Sequence, residues 1–161
     1  MEQVNVVSSD AYNQMSLHTS AGCTMNSKRK QSGTTLSTSC VNSTNDNEGC
    51  GVNAGSGTFG PGYNANGGGI LALELRQAGI RMWQWARGDI PADISARTPD
   101  PSVWGEATAD FPSTNCNIEN HFRNQTIIVN ISLCGVWAGK EEVYEQNCKY
   151  DQQVLLVSWS D

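Results

Sequence analysis

The sequence predicts an all-β protein, an antiparallel β-sandwich or jelly roll. Several stretches alternate apolar and polar residues with a period of two, which is the pattern of a half-buried strand. Glycine, asparagine, serine and threonine are abundant and only 16% of the residues are charged, a composition that favours turns and strands over helices. No stretch keeps a 3.6-residue period over three turns. At 161 residues, the chain is expected to form one domain over residues 1–161.

The alternation predicts five strands, one of them weakly. They comprise residues 13–20, 69–76, 80–87, 126–134 and, with the weaker pattern, 153–159. In the second segment, Leu71, Leu73 and Leu75 form an apolar face opposite Ile70, Ala72 and Glu74. In the third segment, Ile80 and Met82 lie opposite Trp83 and Trp85.

Cysteines are the clearest sign of the compartment. Six are present and no Cys-x-x-Cys pair occurs among them, which favours disulfides over a zinc site. The candidates for disulfide bonds are Cys23, Cys40, Cys50, Cys116, Cys134 and Cys148. Spacing alone does not choose the pairs, although Cys40 with Cys50 is the simplest local pair. That bond would staple residues 26–67, a segment so poor in bulky apolar residues that it would otherwise read as disordered.

Three N-glycosylation sequons, at Asn42, Asn124 and Asn130, agree with an oxidising compartment. We therefore expect a secreted parent protein. The start of the chain has neither the basic region nor the apolar segment of a secretion signal, so we expect that its front is missing. No stretch is apolar enough to predict a membrane span. The net charge of −6 and pI of about 4.8 give no footprint for nucleic acid.

Tryptophans are the candidates for ligand contacts. Trp83 and Trp85 share a strand face with arginines, and such a face suits sugars, whose C–H faces stack on indole rings while their hydroxyls take hydrogen bonds. The alternative is that both rings fill the interior of a second layer. Trp104 and Trp137 lie in predicted loops, where side chains often form ligand walls.

Two polar side chains near the start of the chain could carry chemistry. Glu2 could be one of the two carboxylates that glycoside hydrolysis requires, or a solvated carboxylate at the terminus. His18 lies on the polar side of a predicted strand, where a structural hydrogen bond is the alternative to a catalytic or binding role. His121 is expected to be structural. No metal-ligand spacing and no phosphate-binding glycine loop occurs, so no metal or cofactor is predicted.

Eight short motifs in a fixed order give the chain a family resemblance over about residues 1–148. They are NQMSLHTSAGCT (13–24), NEGCG (47–51), FGPGYN (59–64), GGGILALEL (67–75), IRMWQWARGDIPADI (80–94), PDPSVWG (99–105), CNIENHF (116–122) and IIVNISLCGVWAG (127–139). The chain resembles the C-terminal part of fungal laminarinase-type endo-β-1,3(4)-glucanases of glycoside hydrolase family 16. The resemblance implies a concanavalin A-like sandwich, incomplete at both ends, and a β-glucan substrate.

The resemblance also implies residue roles. The family's catalytic strand reads Glu-x-Asp-x-x-Glu, in which the first Glu is the nucleophile, the Asp assists it and the second Glu is the general acid/base. Glu2 matches the acid/base, so the nucleophile and the Asp would precede Met1. His18 matches a cleft histidine, and Trp137 matches a tryptophan near the cleft. Gln3 and Val136 depart from the family's usual Gly and Asp, and residues 150–161 do not resemble its closing strand.

Three hypotheses follow from these observations. The first is a fragment of a secreted glycosidase that hydrolyses β-1,3(4)-glucan with retention, with very low activity in isolation because the nucleophile is absent. The second is a non-catalytic remnant or decoy that binds β-glucan through the tryptophan face. The third is a fragment that does not fold alone.

Overall fold

Two antiparallel sheets form the framework of the protein. The structure is a computed structural model that describes residues 2–6, 12–130 and 140–141, with residues 2–6 and Asn45 described by their backbone alone. The elements are antiparallel strands joined by loops and a few short helices, so the expected all-β class is confirmed. The helices are short because no segment has an apolar stripe of helical period long enough to bury.

The first sheet has four strands in the order β1-β2-β4-β3. Their bounds are Glu2–Val6 for β1, Tyr12–Leu17 for β2, Thr34–Thr35 for β3 and Cys50–Asn53 for β4. The predicted alternation in β2 is confirmed, because Met15 and Leu17 are fully buried. Met15 pairs with Val52 across the sheet, and this places a continuous apolar surface on one side of β2 and β4.

The second sheet has three strands in the order β5-β6-β7. They span Gly69–Arg76, Gly79–Ala86 and Ala109–Pro112, and the helices α1, α2 and α3 span Gly60–Ala65, Ala92–Ser95 and Ile118–His121. The predictions for β5 and β6 are confirmed. The strand predicted for residues 126–134 is wrong over residues 126–130, which form no strand. Residues 131–134 and the strand predicted for 153–159 lie outside the described residues.

The core lies between the two sheets. Met15, Leu17 and Val52 of the first sheet belong to one buried cluster with Ile80, Met82, Ala109 and Phe111 of the second. A polar bridge also joins the sheets, since Asn13 Nδ2 donates to Gln84 Oε1 at 2.9 Å and to the Thr58 carbonyl oxygen at 2.8 Å. The sandwich is therefore held by apolar packing at its centre and by a hydrogen-bonded network at one end.

Two disulfides fix the loops around this core. Cys40 bonds to Cys50, which confirms the expected local pair, and Cys23 bonds to Cys116, a pairing that spacing did not indicate. The second bond joins chain segments 93 residues apart. Each bond contributes about 2–4 kcal/mol to stability by constraining the unfolded chain. Together they order the serine- and asparagine-rich segment that the sequence alone would leave unstructured. Cys134 and Cys148 lie outside the described residues.

Candidate active-site face

The polar side of the first sheet brings together the first catalytic candidate and its neighbours. Glu2 pairs with Ser16 in the backbone register, and Ser16 pairs in turn with Gly51. Directly paired residues in antiparallel strands lie on the same side of a sheet. Glu2, Ser16 and Gly51 therefore occupy one row across β1, β2 and β4, on the side opposite Met15 and the core. We call this side of the first sheet, with positions 2, 14, 16 and 51 and with His18 after the end of β2, the polar face.

The lack of a side chain at Gly51 leaves room in this row for its neighbours. A Cβ atom at position 51 would lie 3.0 Å from Gln14 Nε2 and 3.3 Å from Ser16 Oγ. Gln14 Nε2 donates to Ser16 Oγ at 3.1 Å, so the two side chains occupy the space that a larger residue would need. The glycine thus lets the two polar side chains lie against the backbone of β4, and Ser16 becomes fully buried there.

His18 directly follows β2, two residues beyond Ser16. This spacing corresponds to about 7 Å along a strand. Its Nδ1 lies 3.1 Å from Asn47 Oδ1, and the ring packs closely on the turn before β4. Gly49 in that turn has φ +69°, and a Cβ there would lie 2.8 Å from Nδ1 of His18 and 2.5 Å from the Leu17 carbonyl oxygen. Only glycine fits this conformation and this approach, so the turn orients the imidazole.

An ion pair brings a distant segment to the same edge. Lys140 Nζ lies 3.7 Å from Asp46 Oδ2, and Asp46 adjoins Asn47, the partner of His18. Both side chains are well exposed, so the pair contributes little to stability. The ion pair shows instead where residues 140–141 lie, which is beside the turn that contacts His18. Trp137, the third predicted substrate-binding tryptophan, lies outside the described residues.

Trp83 and Trp85 lie on the other side of the molecule. Ala72 pairs with Trp83 and Ile70 with Trp85, and these residues occupy the side of the second sheet that points away from the core. The rings of Trp83 and Trp85 stack with centroids 6.4 Å apart, and Trp104 meets them edge-on at 5.1 Å and 5.3 Å. We call Trp83, Trp85 and Trp104 the aromatic cluster.

Trp83 and Trp85, the two members of the cluster predicted to bind sugar, differ in solvent exposure. Trp83 is only 1% exposed and its buried Nε1 has no hydrogen-bond partner among the described residues. Its ring fills the interior of this layer, which was the alternative left open by the sequence. Trp85 and Trp104 are half-buried. The sandwich separates all three rings from Glu2 and His18, so the structure does not assemble the predicted residues into one site.

Hydrogen bonds favour the ionised form of two carboxyl groups, those of Asp93 and Asp100, beside the aromatic cluster. Asp93 Oδ2 accepts from the Asp100 backbone N–H and from Trp104 Nε1, each at 2.7 Å. These bonds, led by the one from Asp100, lower the pKa of Asp93. The pKa of Asp100 is lowered as well, chiefly by the hydroxyl of Ser102. On β7, burial raises the pKa of Asp110. The loop that carries Trp104 is therefore anchored by two ionised carboxylates.

The remaining predicted residues are placed as follows. Asn42, Asn124 and Asn130 are exposed, as glycan attachment would require, and their glycosylation stays a prediction. His121 Nδ1 lies 3.3 Å from Ser20 Oγ, in keeping with the structural role expected for it. Among the described residues, no group of three His, Cys, Asp or Glu side chains could hold a metal ion. Nor does any helix in the described ranges have the length and apolarity to cross a membrane.

The sequence did not single out Gln14 and Ser16 of the polar face, or Asn47, which contacts His18. Gln14 and Ser16 lie in the strand predicted for residues 13–20 but were given no role, and Asn47 was noted only within the NEGCG motif. A signal was present in that motif, because two glycines flanking a cysteine indicate a backbone that another group approaches closely. The group that approaches Gly49 is the His18 ring, and the side chains near Gly51 are those of Gln14 and Ser16.

Comparison with known proteins places this arrangement in a family. A model described as "XgeA-like, catalytic GH16 domain" matches residues 1–158. The chain belongs to glycoside hydrolase family 16. The probable glycosidase C21B10.07 of Schizosaccharomyces pombe is 43% identical over 152 residues, which are 92% of this chain and 36% of that protein. An endo-1,3(4)-beta-glucanase of Arthroderma benhamiae is 35% identical over 86% of this chain and 31% of its own length.

A solved family 16 structure shares the fold. Laminarinase 16A from Phanerochaete chrysosporium, solved with two 6-O-glucosyl-laminaritriose β-glucans in its donor and acceptor sites, matches with a TM-score of 0.79 and 40% identity. The match covers 83% of this chain and 46% of the laminarinase chain. The expected jelly-roll architecture of family 16 is therefore confirmed. The chain spans about a third of the length of the curated relatives named above.

Proposed function

We propose that the chain is part of a family 16 catalytic domain that hydrolyses β-1,3(4)-glucan with retention, and that Glu2 is its general acid/base. The observation that carries this proposal is the register of Glu2 with Ser16, which sets Glu2 on the polar face near His18. The matching family model and the named endo-1,3(4)-beta-glucanase relative support the reaction class.

The chemistry assigns Glu2 two proton transfers. As an acid it protonates the glycosidic oxygen that leaves, while a second carboxylate about 5–5.5 Å away attacks the anomeric carbon. As a base it then takes a proton from the water that hydrolyses the glycosyl-enzyme. The resemblance places that second carboxylate before Met1, so this chain alone is expected to supply one half of the pair.

His18 is proposed to contact the glucan beside Glu2. The turn with Gly49 and the contact with Asn47 orient its ring at the edge of the polar face, which suits a group that must hold a sugar hydroxyl in place. Trp137 is proposed to form a wall of the same cleft. The contact of Lys140 with Asp46 supports this assignment, because it brings the chain three residues after Trp137 to the edge where His18 lies.

Titration with laminarihexaose, followed by NMR of the backbone amides, tests the binding side of this proposal. We expect shifts at Ser16, His18 and Gly51 that are strongly reduced in His18→Ala. The matched control is His121→Ala, which removes the other histidine and leaves the polar face intact. Shifts confined to Trp85 and Trp104, or unaffected by His18→Ala, would remove the polar face as the glucan site.

Reducing-sugar release from laminarin tests the catalytic side. The isolated chain should release sugar at a rate near the background, because the family resemblance assigns the nucleophile to a position before Met1. Glu2→Gln should therefore change little in the isolated chain. Robust release that disappears in Glu2→Gln, and persists in the control Glu106→Gln on an exposed loop, would show that this chain contains both catalytic carboxylates.

A non-catalytic role in β-glucan binding is the second candidate, and the aromatic cluster favours it. Trp85 and Trp104 are half-buried and remote from the polar face, as a separate binding surface would be. Retention on insoluble β-1,3-glucan that is lost in Trp85→Ala would support this role. Retention that survives Trp85→Ala, or no retention at all, would remove it. Trp83→Ala is unsuitable for this test because Trp83 is buried.

Secretion of the parent protein is also proposed. Two disulfides and three exposed sequons support an extracellular location. Expression through a eukaryotic secretory pathway should yield a protein whose electrophoretic mobility increases after removal of N-glycans. Replacement of Asn42, Asn124 and Asn130 by Gln should abolish that change. An unglycosylated, reduced protein from the same host would contradict the assignment.

A further inference from the structure

The turn before β4 has an unfavourable backbone conformation. Asp46 and Asn47 have φ angles of 52° and 62°, and Gly49 has a φ angle of 69°. Residues other than glycine rarely adopt this left-handed region, although aspartate and asparagine tolerate it best. Such residues cost free energy and persist only where their surroundings fix them, which happens most often at functional sites. The contacts of this turn therefore deserve a functional explanation.

The turn is fixed without the help of the Asn47 side chain. The backbone N–H of Asn47 donates to the Thr44 carbonyl oxygen at 3.0 Å. The disulfide between Cys40 and Cys50 holds the residue that follows Gly49, and Gly49 itself packs directly on the residues after β2. The amide group of Asn47 is therefore presented by a turn whose shape other contacts maintain.

This turn brings the Asn47 amide to the imidazole of His18. Asn47 Oδ1 lies 3.1 Å from His18 Nδ1, although the two residues are 29 positions apart in the chain. A carboxamide oxygen accepts hydrogen bonds and cannot donate them, so Nδ1 is the donor and carries the proton of the neutral ring. In that tautomer Nε2 is the acceptor. The contact therefore selects one of the two neutral forms of His18.

We propose that Asn47 is a positioning residue that holds His18 in the Nδ1–H tautomer, so that Nε2 accepts a hydrogen bond from a glucan hydroxyl. In the other tautomer Nε2 would carry the proton and could only donate to that hydroxyl. Asn47 thus decides the direction of the hydrogen bond that His18 makes with the sugar. This inference rests on the contact proposed above between His18 and the glucan.

NMR of the imidazole nitrogens tests the tautomer in the absence of glucan. The protonated and unprotonated nitrogens of a neutral imidazole have widely separated ¹⁵N chemical shifts. At about pH 9, well above the ordinary imidazole pKa of about 6.5, the wild-type spectrum should show the proton of His18 on Nδ1. His121, whose Nδ1 contacts Ser20 instead, gives an internal reference in the same spectrum.

Two variants of Asn47 separate the amide from the turn. Asn47→Gly removes the acceptor but keeps the left-handed backbone, because glycine adopts a positive φ without steric cost. The His18 signals should then move towards the Nε2–H tautomer, while those of His121 stay unchanged. Asn47→Asp restores an acceptor and also tolerates a positive φ, so it should restore the Nδ1–H tautomer. Circular dichroism of both variants checks that they fold.

Affinity for laminarihexaose links the tautomer to glucan binding. Asn47→Gly should raise the dissociation constant about three- to tenfold, the loss expected when one hydrogen bond is weakened. Asn47→Asp should bring the dissociation constant back towards that of the wild type. The same titration of His18→Ala, already described above, reports whether His18 contacts the glucan at all.

Three results would overturn the proposal. The first is a wild-type ring with its proton on Nε2, and the second is an Asn47→Gly variant with an unchanged tautomer. The third is a changed tautomer with unchanged affinity for laminarihexaose, in a protein whose affinity does fall in His18→Ala. If His18→Ala also leaves the affinity unchanged, the contact proposed between His18 and the glucan has failed instead. The two failures are therefore distinguishable.

Discussion

The two sides of the second sheet differ in a way that reverses the usual expectation for their residues. On the outer side, Trp83 is 1% exposed, whereas on the inner side Leu73 is 47% exposed. A tryptophan beside arginines could have formed a surface for ligands, and leucines are among the residues most often found in a core. The comparison teaches that apolar character shows which residues can be buried, while the neighbouring chain decides which residues are buried.

The outer side is covered because a loop folds back over it. The segment between β6 and β7 brings Trp104 onto the two other rings, and Asp93 holds Trp104 through a hydrogen bond of 2.7 Å. The inner side over β5 has no such cover among the described residues.

The largest expected effect is on the outer side. Trp83→Ala should lower the free energy of unfolding by about 3–5 kcal/mol, because it removes a fully buried ring and leaves a cavity. Leu73→Ala should cost only about 1 kcal/mol, since half of that side chain is already in water. Urea unfolding followed by circular dichroism measures both. Equal losses would show that the inner side of β5 is covered in solution.

A smaller effect is expected from the ion pairs on the outer side. Glu74, with its side chain 8% exposed, accepts from Arg81 Nε at 2.8 Å and lies 2.5 Å from Arg76 Nε. Glu74→Gln should lower the free energy of unfolding by about 1–2 kcal/mol, less than for a fully buried pair, because both arginines are partly solvated.

Salt separates this effect from simple packing loss. The difference between the Glu74→Gln variant and the wild type should shrink as sodium chloride is added, because ions screen the partly exposed arginines. Glu106→Gln, at an exposed position, is the control and should change the unfolding free energy by less than about 0.5 kcal/mol. A Glu74→Gln variant as stable as the wild type would mean that desolvation of the carboxylate cancels its pairing.

The smallest effect is pH-dependent and local to the loop that covers the aromatic cluster. The pKa of Asp93 is lowered in the folded protein, so its contribution to stability is present above its unfolded pKa of about 3.9 and is lost as pH falls through the lower folded value. Tryptophan fluorescence should therefore change in acid, below about pH 4, before global unfolding.

Variants at the two ends of this hydrogen bond sharpen the pH test. Asp93→Asn should remove the early acid transition, and Trp104→Phe should weaken it by deleting the Nε1 donor while keeping an aromatic ring. Binding of 8-anilinonaphthalene-1-sulfonate, a dye that reports exposed apolar surface, to the inner side of β5 should stay constant through the same pH range. A simultaneous change in both signals would mean that the two sides of the sheet unfold together.

Local pattern was sufficient for the long strands and insufficient for the short ones. β5 and β6 alternate over eight residues each and were predicted correctly. β4 and β7 have four residues each, and the Gly51 and Pro112 within them read as turn residues. Conversely, residues 126–130 alternate well but form no strand, because pairing partners and not periodicity complete a strand. Cys40–Cys50 was foreseeable from proximity, whereas Cys23–Cys116 depends on how the two sheets stack.

By itself, the sequence determined the all-β class and the family, because strand alternation, cysteine count and motif order are local properties of a chain. It proposed Glu2 and His18 as residues that carry chemistry, and those roles stay predictions. Only the tertiary structure decided that Glu2 shares a row with Ser16, that Gly49 must be small beside His18, and that Trp83 is inside while Leu73 is outside. Each of these depends on which strand lies next to which. Register and coverage are set by contacts between residues far apart in the chain, and no local pattern encodes them.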